Sequence, residues 1–368
     1  MFLLRVRRST LDYIPSEAAP MVPQGNDRIR RINEIEFEIP DEKQDLVHPY
    51  GTSTVPLVEY EKGLPSIPEN IFSSKENTMF KLRLGKYAAV GGGTPKRVSI
   101  KRYLEASEQE RADWRVCPNS SNILETVAKA VKVLGNNADL NFLDVSGVKN
   151  MSEVFKDLKN REFNGDISKW DVSNVTDMRS MFENSKFNGD ISKWDVSNVI
   201  DMSRTFSGSW FNGDISKWNV SKVERMYAMF HGSVFNGNIS EWNVSKVISM
   251  SQMFEYSDFN QDISKWDVSN VKYMGYMFEN SKFNGDISKW NVSKVEDMPY
   301  MFFKSKFNGD ISKWDVSSLK DSVNMFRESV FNGNLSGWRI PGNCNTVNMF
   351  VDSPLESKYG KDAEKLKE

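Results

Sequence analysis

FNGDISKWDVSNVTDMRSMFENSK, residues 163–186, decides the fold, because the chain repeats it with little drift. Phenylalanine recurs at Phe163, Phe187, Phe211, Phe235, Phe259, Phe283, Phe307 and Phe331, always 24 residues apart. Tryptophan keeps the same interval at Trp170, Trp194, Trp218, Trp242, Trp266, Trp290, Trp314 and Trp338, so eight of the ten tryptophans fill one column. A degenerate copy, LDVSGVKNMSEVF at residues 143–155, precedes the series, and the last copy loses its pattern after Trp338 at RIPGNC. A fixed period of this kind signals a stack in which each repeat buries its apolar face on its neighbours. Atypical end copies suit such a stack, because its end faces meet solvent.

Within one repeat, Ile167, Trp170 and Val172 are spaced for a short strand with Lys169 and Asp171 outward. Val175, Met178, Met181 and Phe182 recur at intervals of three and four, which suits a helical or 3₁₀ turn. The expected fold is a repeat solenoid of about nine coils over 141–355, each with one short parallel strand and one such turn. Coils would stack about 4.8 Å apart, with the tryptophan column in the core. Fourteen of the seventeen methionines lie in this array, where a flexible thioether fills gaps between rings. A serine column, Ser185 to Ser353, is expected to satisfy backbone groups at a corner. Asn164-Gly165 reads as a turn; Asn260-Gln261 in one copy means either that glycine geometry is not required or that Asn260 is left-handed. On the outer face a lysine column from Lys169 to Lys313, broken by Glu241, runs beside Asp171, Asp195, Asn219 and their successors, with a lysine three residues after each asparagine that replaces aspartate. That alternation reads as charge tuning of a solvated face.

Composition narrows the function. The net charge of −2 makes neither nucleic acid nor an anionic membrane a default partner, and no apolar run approaches the ~20 residues of a membrane span. MFLLRVRRST has an apolar run too short for a secretory signal, so the cytoplasm, or a virion or other assembly, is the expected location on this reading. Two cysteines, Cys117 and Cys344, make no disulfide framework. Only two histidines occur, His48 and His231, so no metal-ligand spacing or catalytic constellation assembles, and no cofactor, metal or catalytic residue is expected. His231 falls at a position that varies between copies and reads as an exposed corner. The column Asp166, Asp190, Asp214, Asp262, Asp286 and Asp310, interrupted by Asn238 and Asn334, reads as turn capping rather than calcium binding.

Positions that vary between copies carry more information, since a stack can change them without touching its core. Among them stand Tyr227, Tyr256, Tyr273, Tyr276, Tyr300 and Phe303, with Trp210 earlier. Clustered surface aromatics of this kind mark a protein partner site.

The pattern F-N-x-D-I-S-x-W-D/N-V-S-x-V-x-x-M-x-x-M-F, from Leu143 to Ser353, resembles the BspA-type leucine-rich-repeat surface proteins, in particular the branch first noted as a domain of unknown function in Mycoplasma lipoproteins. The resemblance implies a leucine-rich-repeat-like solenoid, a non-enzymatic role in adhesion and protein binding, and a cell-surface location. It carries no catalytic residue with it. Many such repeats end the helical turn in cysteine, where this chain has serine.

Residues 1–140 differ in kind. Nine of thirteen prolines lie in residues 1–95, which reads as an extended arm with short strands, a small irregular α+β region. Ile35, Phe37 and Ile39 alternate with glutamates, and Phe80, Leu82 and Leu84 with basic residues, so the two segments are expected to pair. Arg5, Arg7, Arg8, Arg28, Arg30 and Arg31 read as solvated arm charges, and Gly91-Gly92-Gly93 as a joint. Residues 96–140 form a helical capping segment, with a helix from Asn122 to Leu134 that has Asn122 and Glu125 at capping-box spacing and Gly135 as its stop. Residues 356–368 read as a charged tail. Two functions fit: an interaction scaffold of the surface-protein type, or a structural subunit of a large assembly, virion or organellar, anchored by the arm.

Overall fold

The computed structural model describes residues 95–112, 114–156 and 161–368, together with the backbone of six short strands before them. The chain divides into two compact units, Met1–Lys96 with Ser107–Trp114, and Arg97–Ala106 with Arg115–Glu368.

In the first unit β1 (Leu4–Arg7) pairs antiparallel with β4 (Leu57–Tyr60), β2 (Ile29–Ile32) with β3 (Ile35–Glu38), and β5 (Leu82–Leu84) with β6 (Tyr87–Ala89). The segments expected to pair with each other therefore pair elsewhere, each within its own hairpin. Two residues join β2 to β3 and two join β5 to β6, so local closure costs far less chain entropy than pairing β3 with β5 across the long intervening segment. Ile39, Phe80, His48, Arg8, Arg28 and Gly91–Gly93 lie outside the described residues.

The second unit is a run of stacked repeats. It opens with α1 (Ile100–Glu105), whose Tyr103 ring stacks on Phe142 at 3.9 Å, and α2 (Ile123–Leu134). Helix α2 buries Ile123, Val127, Ala130 and Val131, and stops at Gly135, whose φ of +91° lies in the region glycine alone enters cheaply. The capping box does not form. Asn122 Oδ1 instead accepts the Asn119 N–H at 2.8 Å, and Glu125 pairs with Lys129.

Each repeat is a string of β-turns, which corrects the expected strand and helical turn. Asp166, Asp171 and Asp177 each accept the backbone N–H two residues on, at Ser168, Ser173 and Arg179. Behind each aspartate an i→i+3 turn closes: Trp170 N–H on Ile167 carbonyl, Val175 on Val172, Met181 on Met178. Ile167 and Val172 thus point inward from two successive capped turns, not from one strand. A short side-chain carboxylate competes well for local N–H groups, which is why Asp-x-Ser favours a turn.

Parallel pairing between repeats occurs later, as single-residue bridges along Asp177, Asp201, Arg225, Ser249, Tyr273, Asp297, Asp321 and Asn345. From there every second N–H crosses to the next repeat: Met178 to the Asp201 carbonyl, Ser180 to Ser203, Phe182 to Thr205, Asn184 to Ser207. The intervening N–H groups close turns within their own repeat, Met181 on Met178, Glu183 on Ser180, Ser185 on Phe182. With Arg179 on the Asp177 carboxylate, every N–H from 178 to 185 has a partner. Ser180 and Asn184 take φ of +54° and +55°, which breaks any helix here.

The core consists of columns. Phe163, Phe187, Phe211 and their successors stack with ring centroids 6.0–6.3 Å apart, and a second column, Phe155 and Phe182 through Phe350, stacks at 5.2–5.9 Å. The eight tryptophans are buried, at 1–4% exposure. Trp170 lies parallel to Trp194 at 6.3 Å, and Trp314 to Trp338 at 6.4 Å. Each indole N–H donates to a carbonyl in the preceding repeat, as Trp242 does to Ile215 at 3.1 Å. Ser185, Ser209, Ser281 and the rest of the serine column through Ser329 accept the N–H of the core phenylalanine two residues on, at 3.1–3.4 Å, and Ser353 accepts that of Leu355.

Asn164 and its successors form a ladder, each Oδ1 accepting the N–H of the asparagine 24 residues later. Asn260 is not left-handed, which settles the choice left open there. The glycine that follows every asparagine of the ladder but Asn260 serves space, a Cβ at Gly213 standing 2.9 Å from the Phe211 ring, and Gln261 holds that place in the remaining repeat. At the far end the charged tail, α3 (Glu356–Tyr359) and residues 360–368, folds back on the last repeat. Leu355, Tyr359, Ala363 and Leu366 are buried, and Ile340 bridges Lys367.

Candidate interaction edge

Two columns of left-handed residues define one edge of the stack. The first holds Glu153, Ser180, Arg204, Ala228, Gln252, Tyr276, Tyr300, Asn324 and Asn348, and the second Asn184, Gly208, Gly232, Tyr256, Asn280, Lys304, Glu328 and Asp352. The backbone bonds between repeats at this edge do not depend on side-chain identity, so the side chains are free to differ. Tyr256, Tyr276 and Tyr300 sit at φ of +53°, +64° and +56°, where a bulky residue costs about 1–2 kcal/mol.

Most of the aromatic candidates gather here. Tyr276 stacks on Tyr300 with centroids 4.7 Å apart, and Phe303 meets Tyr300 edge-on at 5.5 Å. Tyr256 is half exposed, lies edge-on to His231 at 6.1 Å and donates its hydroxyl to Glu279 at 3.0 Å. Tyr227 lies under the Arg204 guanidinium at 5.3 Å. Tyr273 is exposed but belongs to the bridge column, three residues from Tyr276, and makes none of these ring contacts. Trp210 is exposed on another column, beneath Lys186 at 5.4 Å.

The reading of His231 as an exposed corner needs correction. Its column, Glu183, Ser207, His231, Glu255, Glu279 and Phe303, turns partly inward behind the two left-handed columns. Glu183, Glu255 and Glu279 are 8%, 6% and 6% exposed, and Ser207 is buried as well. His231 Nε2 lies 3.7 Å from Glu255, and burial lowers its pKa. Glu255 accepts from Gln252 Nε2 at 2.6 Å. Burial, reinforced by the charge of Glu279, pushes Glu255 up to about 7. Burial raises Glu279 too, against the Tyr256 hydrogen bond and the charge of Lys304. These carboxylates were missed in the sequence. Their signal was a glutamate directly after a core phenylalanine, recurring at multiples of the period at 183, 255 and 279.

Elsewhere the surface is charge-balanced. Lys265 pairs with Glu241 at 2.8 Å, and Lys222 and Lys294 each donate to an asparagine one repeat back, Asn198 and Asn270. Asp190, Asp214 and their column mates accept serine N–H groups, which holds their carboxyls below the usual range, with the hydrogen bonds to Ser192 and Ser216 the leading causes. Among the described residues no group of three or more His, Cys, Asp and Glu is placed to hold a metal ion, and no helix is long and apolar enough to cross a membrane.

Stacked near-identical units, capped turns and a variable edge define a repeat protein. The chain belongs to the family described as Mycoplasma protein of unknown function, DUF285, which matches residues 122–234, 184–282, 210–305 and 257–359 in overlapping stretches. No curated protein and no solved structure matches it.

Proposed function

We propose that the protein is a non-enzymatic interaction scaffold: a continuous solenoid whose constant columns supply rigidity and whose left-handed edge binds a protein partner. The use resembles that of the leucine-rich-repeat surface proteins, although the local geometry is a chain of β-turns. One observation carries the reading. Tyr256, Tyr276, Tyr300 and Phe303 come from three adjacent repeats and meet on one edge, while the core columns beneath them are unvaried. Stacked aromatics at a variable surface supply large contact area at low entropic cost.

The test is cross-linked capture from the native source with the wild-type protein and the Tyr273→Ser, Tyr276→Ser, Tyr300→Ser triple variant, read by quantitative mass spectrometry. Partners lost with the triple variant, at unchanged far-ultraviolet circular dichroism, support the edge. An unchanged set of captured proteins rejects it.

A further inference from the structure

Seven asparagines of the ladder precede glycine, at 164, 188, 212, 236, 284, 308 and 332. Asn–Gly is the pair most prone to lose its side-chain amide, because glycine has no Cβ to keep its nitrogen from the neighbouring carboxamide. In all seven the asparagine is exposed, and the glycine N–H donates no backbone hydrogen bond among the described residues. The carboxamides differ. Six are tied, each Oδ1 accepting the N–H of the ladder residue in the next repeat at 2.8–2.9 Å. Asn332 is the last rung. The position 24 residues on is Glu356, the first residue of α3, and among the described residues no donor reaches the Asn332 carboxamide.

Local sequence does not account for the difference. Residues 233–238 and 329–334 both read SVFNGN. Asn236 Oδ1 accepts the Asn260 N–H at 2.9 Å and Gln261 Nε2 at 3.2 Å, whereas its counterpart Asn332 is untied. The fold alone separates two identical hexapeptides.

We propose that Asn332–Gly333 is a self-modification site, the one Asn–Gly pair whose carboxamide is free to swing onto the following nitrogen. The Gly333 nitrogen attacks Asn332 Cγ, a new N–C bond forms, and the Cγ–Nδ2 bond breaks. The proton of the Gly333 N–H leaves with the side-chain nitrogen as ammonia. Water then opens the five-membered imide at either carbonyl. Cleavage at Cγ gives aspartate, and cleavage at the main-chain carbonyl gives isoaspartate, whose backbone runs through one extra methylene. Only water is consumed, and nothing is oxidised or reduced. The lengthened backbone bears on the end of the stack. Asn334 Oδ1 accepts the Tyr359 hydroxyl at 3.1 Å, and that hydroxyl accepts the Leu335 N–H at 2.9 Å. Isoaspartate at 332, two residues before Asn334, disturbs this grip and loosens the folded-back end as the molecule ages.

The experiment is peptide mapping by electron-transfer mass spectrometry of the full chain after prolonged incubation at pH 8, once folded and once in urea. In the folded chain Asn332 is expected to convert roughly fivefold or more faster than Asn236, the factor that one net hydrogen bond supplies. In urea the two should convert equally. Equal rates in the folded chain, or the same preference persisting in urea, overturns the proposal. Loosening of the end is read by hydrogen exchange over residues 355–366, against Asn332→Ser aged alongside. Asn332→Ser is the blocking variant because a Cβ at Gly333 would stand 2.5 Å from the Phe331 ring, which rules out Gly333→Ala. Aged wild type should exchange faster than fresh protein, and the variant should not change. No rise in the wild type, or an equal rise in the variant, overturns the loosening.

Discussion

Replacing Trp242 by alanine tests the stack at its centre. Its indole is 3% exposed, faces Phe230 with centroids 6.4 Å apart, and donates to the Ile215 carbonyl at 3.1 Å. Deleting a buried indole in a packed core costs about 3–5 kcal/mol through lost transfer energy and the cavity left behind. The hydrogen bond is a small part of that, because Ile215 carbonyl also accepts the Trp218 N–H at 3.1 Å and keeps one partner when the indole goes. Trp242→Phe, which retains most of the ring but not the donor, should therefore cost only about 1–2 kcal/mol. Both values come from urea unfolding followed by far-ultraviolet circular dichroism. Two results would refute the reasoning: an alanine variant destabilised by less than about 1 kcal/mol, or alanine and phenylalanine variants of equal stability. Either would mean that the ring column does not hold neighbouring repeats together.

Two further outcomes rest on buried polar groups. Folding raises the Glu255 pKa to about 7, above its unfolded value near 4.3, so the folded state binds the extra proton and stability falls as pH rises from about 4.5 to 7. Glu255→Gln should therefore melt higher than wild type at pH 8 and at the same temperature near pH 4.5, as read by calorimetry; a variant less stable at pH 8 contradicts this. Ser281 is 2% exposed and its hydroxyl accepts the Phe283 N–H at 3.1 Å, so Ser281→Ala leaves a buried donor unpaired at about 1–3 kcal/mol, measurable as a lowered urea midpoint with an unchanged slope.

The period, the aromatic columns and the serine column were legible because burial acts on side-chain type, and 24-residue spacing brings like residues together whatever the backbone does between them. The local conformation was harder. Ile167, Trp170 and Val172 point inward from capped turns just as they would from a strand, so apolar spacing alone does not separate the two readings. The deciding mark was Asp-x-Ser, present twice per repeat at 166–168 and 171–173, with Asp177 opening a third turn of the same kind. The left-handed columns were half visible. One of them includes Asn184, Gly208, Gly232 and Asn280, residue types that enter this region readily; the other holds Ser180, Arg204, Ala228, Gln252 and Tyr276, which share no such tendency. There the ladder between repeats imposes the conformation, and no local signal records it.

That difference bears on the edge itself. A left-handed position is occupied at least cost by glycine or asparagine, and the stack uses both: Gly208, Gly232 and Asn280 lie in the same column as Tyr256. Tyrosine at Tyr256, Tyr276 and Tyr300 adds roughly 1–2 kcal/mol of backbone cost at each position, and the inter-repeat bonds made there, such as Tyr276 N–H to the Pro299 carbonyl, need no side chain at all. Part of the cost is offset by stacking of Tyr276 on Tyr300 and by the Tyr256 hydrogen bond. The same rings leave Glu255 and Glu279 without the counter-charge that Arg204 gives Glu183, so the local arrangement is poorer on two counts than a glycine or arginine would make it. Left-handed residues other than glycine and asparagine run along the whole stack, so what sets this stretch apart is the coincidence of stacked tyrosines with two buried carboxylates, and that coincidence is where the proposed partner contact is placed.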